Sequence, residues 1–368
     1  MTTLNESWWA KVLGGPESDL HAASSTERYV VLPRASDPRV AVDQSDPQAL
    51  RDAVQRFVGN RIGSAVSSPI AGGASAILAR RRPTWGVSSP GHTLREHLSD
   101  VLGREVRLSI AVGPNRPNRK PVIRCYADSQ LVAVAKMGPD PHTAKMVHNE
   151  GVWLKKLGGK PFEGIVTPQF LHSGLFGDSE LLVMSALDLQ NDSAIPFEEV
   201  PLEVTKEFVS RFSTSDSLRT SDWWKLLLER LDAPGLESFR EIADVLESEG
   251  DIDALPVSAW HGDWSPWNMG RVADGRLGVW DWERTSVGAP TGLDSLHLHY
   301  QYGEEIHAAI SDLRALGVPV EHHRILKVIY LLELAARHGE AGVLDSGRQV
   351  AVAEALGKFT TAQQGGTQ

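Results

Sequence analysis

The chain has 368 residues, 41% of them hydrophobic and 23% charged, which is ordinary globular usage with length enough for two domains, and it excludes a fibrous or wholly disordered protein. A net charge of -10, from 37 Lys and Arg against 47 Asp and Glu, argues against nucleic acid as the main partner. The single cysteine, Cys125, excludes an internal disulfide framework and a cysteine-clustered metal site.

No run approaches ~20 apolar residues, and the opening MTTLNESWWAKVLGG lacks the charged-then-apolar pattern of a leader. Neither a membrane partner nor export is therefore expected, and the cytoplasm is the expected location. The charge is uneven: residues 1–187 hold 22 Lys and Arg against 17 Asp and Glu, a net of +5, while residues 188–368 hold 15 against 30, a net of -15. The acidic half would suit a cationic or neutral ligand, unless solvated helix faces carry the excess.

Along the chain, residues 1–26 are polar, with Trp8 and Trp9 as anchors. Strands are expected at 29–33 and 40–43, then a helix to about Val58 capped by Asp46 with Pro47 in its first turn. Residues 59–91, rich in Gly, Ser, Pro and Arg and including Arg80, Arg81 and Arg82, read as a loop or linker. From residue 92 a helix (92–102) precedes strands 106–112, 122–126 and 131–137, the first two separated by the turn Gly113–Lys120. A helix over 141–157 and strands 165–171 and 180–184 follow; beyond Leu187 helices are expected at 200–213, 220–231, 235–249, 294–315 and 320–338. The division predicted is 1–91, 92–187 and 188–368: an N-terminal extension, a β-rich lobe and a helical lobe.

The helical half is interrupted by an irregular insert, 256–291, which reads Trp260-His261-Gly262-Asp263-Trp264-Ser265-Pro266-Trp267-Asn268 and then Val279-Trp280-Asp281-Trp282-Glu283. Asp and Asn oxygens are the hard ligands that Mg²⁺ takes, usually one or two carboxylates completed by phosphate oxygens. A neighbouring carboxylate can orient an attacking hydroxyl and accept its proton. Asp and Asn also make turns, so loop capping is the other reading of these residues, which stand five and thirteen residues apart.

That order and spacing resembles the catalytic machinery of protein-kinase-like phosphotransferases, and the His-Gly-Asp and Asp-Trp-Glu forms look like the aminoglycoside phosphotransferase and choline kinase branch. The resemblance covers roughly 92–340 and implies an α+β, bilobal fold: a small antiparallel β-sheet N-lobe, a helical C-lobe, and here an N-terminal α/β extension that it does not explain. It implies transfer of the γ-phosphoryl of ATP (GTP left open), with Mg²⁺, to a hydroxyl of a small molecule such as an aminoglycoside, amino sugar or other sugar-like acceptor.

Carried over residue by residue, Asp263 is the base and Asn268 and Asp281 are the metal ligands, while Lys136, on the third strand of the lobe, pairs with Glu150 on the next helix. The adenine site falls at the hinge Met184, Ser185 and Ala186. The phosphate-facing turn departs from the family pattern, with one glycine, two prolines and basic residues, so that Arg116, Arg119 or Lys120 would reach phosphate. His261 reads as a brace under the loop rather than a base; Asp294 reads as a brace, a helix cap, or both. Trp264 and Trp267 form an acceptor wall or pack the loop, and Glu283 contacts metal or substrate or makes a structural hydrogen bond.

Histidines 297, 299, 322 and 323 lack metal-ligand spacing and read as surface or core residues. The triplet Arg337-His338-Gly339 mimics a phosphohistidine phosphatase site but ends a late helix, and is set aside. A homodimer is left open. Two other classes stay in view: a nucleotide-binding pseudokinase scaffold, against which the intact set of five residues argues, and a protein or peptide kinase, for which the twelve residues Trp282–Leu293 are a short segment to dock a polypeptide.

Overall fold

A computed structural model describes residues 5–15, 17–34, 36–62, 83–114, 118–190, 195–249, 251–303 and 306–342. The fold is α+β, in two compact units: residues 1–155 with 168–186, and residues 156–167 with 187–368. The first unit holds α1 (Glu6–Gly14), β1 (Arg28–Arg34), β2 (Asp37–Asp43), α2 (Pro47–Ile62), β3 (Thr84–Gly86), α3 (Leu94–Leu102), β4 (Arg107–Val112), β5 (Pro121–Ala127), β6 (Gln130–Gly138) and most of α4 (Pro141–Leu157). After β7 (Ile165–Val166), which belongs to the second unit, it closes with β8 (Phe170–Phe176) and β9 (Ser179–Ser185).

These eight strands make one sheet in the order β3-β1-β2-β4-β5-β6-β9-β8, antiparallel at every step. Helix starts are fixed by side chains: Asp46 Oδ1 accepts from the Gln48 and Ala49 amides at 2.8 and 3.0 Å, and Thr93 and Glu96 form a reciprocal capping box. The apolar face of the sheet gathers Leu108, Ile110, Ile123, Cys125, Ala133 and Ala135 against Leu94 and Leu98, and the same cluster takes in Trp9, Leu13, Tyr29 and Trp85 from the first 91 residues. Those residues, expected to form an extension, contribute three strands to the sheet, with β2 hydrogen-bonded to β4.

The second unit holds α5 (Leu202–Phe212), α6 (Asp222–Leu231), α7 (Glu237–Glu249), β10 (Val257–Trp260), β11 (Met269–Arg271), β12 (Leu277–Val279), β13 (Ser286–Pro290), α8 (Leu293–Gln301), α9 (Ile310–Ala315) and α10 (His323–Glu340). Its core packs Trp224, Leu227, Leu293, Leu296, Leu326 and Ile329 among the helices. Two short ribbons interrupt the helices: β10 with β13, and β11 with β12, the latter pairing in parallel with β7.

Three expectations are refined. The run 165–171 is two strands, parted around Pro168, which has no amide to donate. The helix expected over 294–315 stops at Gln301, where Gly303 turns the chain at φ +72°, and resumes at Ile310. The opening polar segment contains α1, whose first turn is capped by Asn5 accepting from the Trp8 amide at 2.9 Å. The Arg80, Arg81 and Arg82 run lies outside the described residues. Among the described residues no helix is long and apolar enough to cross a membrane.

Candidate functional site

In the first unit, Lys136 stands near the end of β6, and its register partners are Val122 on β5 and Leu182 on β9. Helix α4 follows after a sharp approach: a side chain at Gly138 would meet the Ala144 backbone at 2.5 Å, so only glycine lets the helix start this close to the strand. The helix then brings Glu150 to Lys136, whose ammonium donates to both carboxylate oxygens at 2.7 and 2.6 Å. Lys136 is 7% exposed and Glu150 is fully buried. A buried pair in low dielectric is costly to form and more costly to break, so the lysine is held at one point.

The expected hinge residues close β9: Met184 is buried opposite Val134, the Ser185 amide donates to Gln169 O at 2.9 Å, and the Ala186 amide donates to Val132 O at 3.4 Å. In the turn Gly113–Lys120, Arg116 lies outside the described residues, and Lys120 is largely buried.

In the second unit the insert holds a loop whose backbone is bonded throughout His261–Asp263. Asp294, in the first turn of α8, accepts the His261 amide at 2.8 Å on one carboxylate oxygen and the Gly262 amide at 3.1 Å on the other. Thr285 Oγ1 donates to the His261 carbonyl at 3.2 Å, and Arg337 Nη1 donates to the Gly262 carbonyl at 2.6 Å. The Asp263 amide donates to His261 Nδ1 at 3.2 Å, so the ring proton sits on Nε2 and is donated to Trp280 O at 3.1 Å. His261 is therefore neutral, and burial, its largest influence, pushes it down to about 4.

Gly262 makes this loop sterically feasible. Its φ is +86°, and an added Cβ would lie 2.7 Å from Arg284 Cβ and 2.9 Å from Arg284 O.

Asp263 itself is clamped at both oxygens. Asn268 Nδ2 donates to Asp263 Oδ2 and to its carbonyl, both at 2.9 Å, and His297 Nε2 lies 3.1 Å from Oδ1. A carboxylate only accepts, so the Asn268 amide nitrogen faces Asp263 and its oxygen is left for other work. Burial raises the Asp263 carboxyl, but the hydrogen bond from His297 outweighs it and the group falls to about 2, ionised at neutral pH.

Asn268 ends a tight turn, Pro266–Asn268, and the Trp280 amide donates to its carbonyl at 3.1 Å. The β11–β12 ribbon thus sets Asn268 and Asp281 at the same end of one hairpin. Asp281 adopts φ +70°, ψ +49°, a left-handed conformation that asparagine and aspartate tolerate best and that clusters at functional sites. An amide oxygen and a carboxylate at the mouth of one hairpin are the donor set a hard divalent cation takes.

Of the remaining expectations, Trp264 is fully buried, its ring stacked on Phe208 at 5.9 Å and edge-on to His261, so it packs the loop onto the helices rather than walling an acceptor. Trp267, two residues before the hairpin, is 44% exposed and available to a ligand. Glu283 is buried. Asp294 is both brace and first-turn acid; burial pushes its carboxyl up to about 7 against the pull of the two amides it accepts.

Sequence reasoning missed His297, Tyr330, Thr285 and Arg337. A usable signal existed for the first: His297 follows Asp294 by three residues, so both lie on one face of α8. Arg337, set aside with its triplet, is held by Glu333 and stacks on Trp260 at 4.6 Å while it caps the loop.

No protein-family model matches the chain, and no curated protein does. Solved structures similar to it include choline kinase LicA from Streptococcus pneumoniae, 18% identical over 67% of this chain and 90% of that chain, with a TM-score of 0.43. A streptomycin–ATP–APH(2")-IIa ternary complex is 15% identical over 68% of this chain and 95% of that one, with a TM-score of 0.41. The GDP complex of wild-type aminoglycoside 2'-phosphotransferase-IIIa is 15% identical over 68% and 90%, with a TM-score of 0.43. These names are those of the group that the motifs resemble.

Proposed function

We propose that the protein is a nucleotide-dependent small-molecule kinase, moving the γ-phosphoryl group of ATP to a hydroxyl of an aminoglycoside, amino sugar or other sugar-like acceptor. The observation that carries this reading is the Asp263 loop. It presents an ionised carboxylate whose two oxygens are fixed by Asn268 and His297, on a backbone tied down by Asp294, Thr285 and Arg337. Phosphoryl transfer runs through a loose transition state in which positioning and charge stabilisation supply most of the rate, so a rigid acceptor-only group suits it.

Asp263 orients the acceptor hydroxyl and takes its proton as the bond to phosphorus forms. Asn268 and Asp281 would hold Mg²⁺, which when bound neutralises charge on the phosphates. Lys136, held by Glu150, lies 2.6 Å from that carboxylate and supplies a fixed positive charge for nucleotide phosphates, while the Met184–Ala186 segment takes the adenine. The net charge of -15 in residues 188–368 favours acceptors that carry ammonium groups.

The test is ADP release from Mg-ATP by the purified protein, wild type beside Asp263→Asn, across aminoglycosides, amino sugars, neutral sugars and amino alcohols. Acceptor-dependent release that falls by about a thousandfold or more in the variant is expected; release undiminished in Asp263→Asn would overturn the assignment.

A further inference from the structure

Two histidines contact Asp263, and only His261 belongs to the loop motif. The other, His297, lies on α8 one turn beyond Asp294 and is 2% exposed. Its Nε2 is 3.1 Å from Asp263 Oδ1 and its Nδ1 is 3.0 Å from the Tyr330 hydroxyl on α10. The chemistry of the partners fixes every proton in this chain. The carboxylate can only accept, so Nε2 carries hydrogen; burial keeps the ring neutral, so Nδ1 is a lone pair and the Tyr330 hydroxyl donates to it. Tyr330 is buried and its phenol is held well above its ordinary value, so it keeps that proton. Gln301 Nε2, at 3.5 Å from His297 Nε2, and the cationic Arg337 and Arg284 are the other groups near the ring; burial first and Arg337 next disfavour a charged imidazole.

We infer that His297, aimed by Tyr330, is a positioning residue for the phosphotransfer base, fixing the plane of the Asp263 carboxylate from the side opposite Asn268. The inference rests on the kinase reading of Asp263. With Asn268 on Oδ2, and His297 and the Ser265 hydroxyl (3.4 Å) on Oδ1, rotation of the carboxylate about its last torsion is blocked, and Oδ2 keeps a lone pair for an incoming hydroxyl. The same helix does both halves of the task. Asp294 ties α8 to the loop backbone, and His297, a turn later, ties α8 to the loop's reacting side chain. A histidine that merely fills the core needs partners for its two nitrogens, but nothing requires one of them to be the carboxylate oxygen of Asp263.

The experiment uses the full chain and initial-rate ADP release from Mg-ATP with the acceptor found active, for wild type, His297→Leu, His297→Gln, Tyr330→Phe and Asp263→Asn, each with its melting temperature. Leucine offers no donor, whereas the glutamine amide can still reach the carboxylate. His297→Leu should lower kcat by about 10- to 100-fold while the KM for Mg-ATP stays within about twofold, because the residue touches no nucleotide-binding group. His297→Gln should recover most of that loss, and Tyr330→Phe should cost only about two- to fivefold. Wild-type kcat in His297→Leu overturns the inference, as does a loss that glutamine does not recover and that follows the melting temperature.

Should His297→Leu fail to fold, Tyr330→Phe decides: a loss of kcat of about two- to fivefold at unchanged KM and melting temperature supports the inference, and wild-type kcat overturns it. Asp263→Asn separates the two claims: full activity there sinks the kinase reading, whereas its inactivity beside an unaffected His297→Leu sinks only the positioning role. If no acceptor supports turnover, long-range proton–nitrogen spectra of the histidine rings decide. An Nε2-protonated His297 whose shift changes in Asp263→Asn supports the inference, and an Nδ1-protonated ring overturns it.

Discussion

His261 shows how one side chain under a loop can be more important neutral than charged. Its Nδ1 must accept from the Asp263 amide and its Nε2 must donate to Trp280 O, a pair of bonds available only to the neutral ring. Burial lowers its pKa from 6.5 to about 4, so between those values the unfolded chain binds a proton that the folded chain refuses. The sign follows: the contribution is fully present above pH 6.5 and is lost as pH falls through about 4, with a full magnitude of about 3 kcal/mol. His261→Gln removes the titration while leaving a polar side chain. Urea unfolding should therefore find the variant most destabilised relative to wild type at pH 7.5, with the gap narrowing at pH 5. A gap that is constant or widens toward acid would show that the ring is not held neutral.

At the scale of elements, helix α10 locks the loop from behind through Arg337, and that arginine is itself held by a carboxylate. Glu333, 3% exposed, receives Arg337 Nε at 2.8 Å and Arg230 Nη1 at 2.7 Å, so one acid on α10 joins α6 to the loop. Burial raises the Glu333 carboxyl, but the two guanidinium groups outweigh it and keep it below its ordinary value and ionised. Glu333→Gln leaves the buried Arg337 facing a neutral amide, while Arg230 keeps Glu340; this should cost about 3 kcal/mol of stability and slow turnover by freeing the Gly262 carbonyl's donor. Thermal melting and ADP release measured together check this, and an unchanged melting temperature would refute it.

The same elements show what could be read from the chain and what could not. The Asp263, Asn268 and Asp281 spacing was legible because side-chain chemistry at fixed separations survives without knowledge of packing, and the Lys136–Glu150 pair was legible through the family resemblance that this spacing carries. Thr285 and Arg337 were not legible, since they reach the loop from 24 and 75 residues away in sequence, and Glu333 acts only through Arg337. The break after Gln301 was missed because apolar periodicity runs on past Gly303, where backbone conformation alone ends the helix.

At the scale of the whole chain, the question is whether residues 1–91 are an appendage, as their composition suggests, or part of a folding unit. Strand β2 pairs with β4 over Val40–Val42 and Ser109–Ala111, which covers an edge of the sheet that carries Lys136. Trp9, fully buried, packs at 5.6 Å from Trp85, and both share a cluster with Leu94, Leu98, Ile110 and Cys125. Glu27 also accepts from Tyr29 at 2.6 Å and from Thr93, the cap of α3, at 2.8 Å. Removing the segment would strip several large side chains from the core, each contributing about 2–3 kcal/mol. It would also leave β4 as an open edge, the template for aggregation. These losses are of the same order as the usual stability of a domain, about 5–15 kcal/mol.

Cys125 gives the readout. It lies on β5 in that cluster, fully buried, with its thiol pushed up to about 12 by burial, and so should resist a thiol reagent in the full chain at neutral pH. A chain beginning at residue 92 should come out of solution or, where soluble, label at Cys125 at the rate of a denatured protein. If that shorter chain instead stays monomeric, keeps Cys125 protected and melts as the full chain does, then the first 91 residues are dispensable to the sheet and their purpose lies elsewhere.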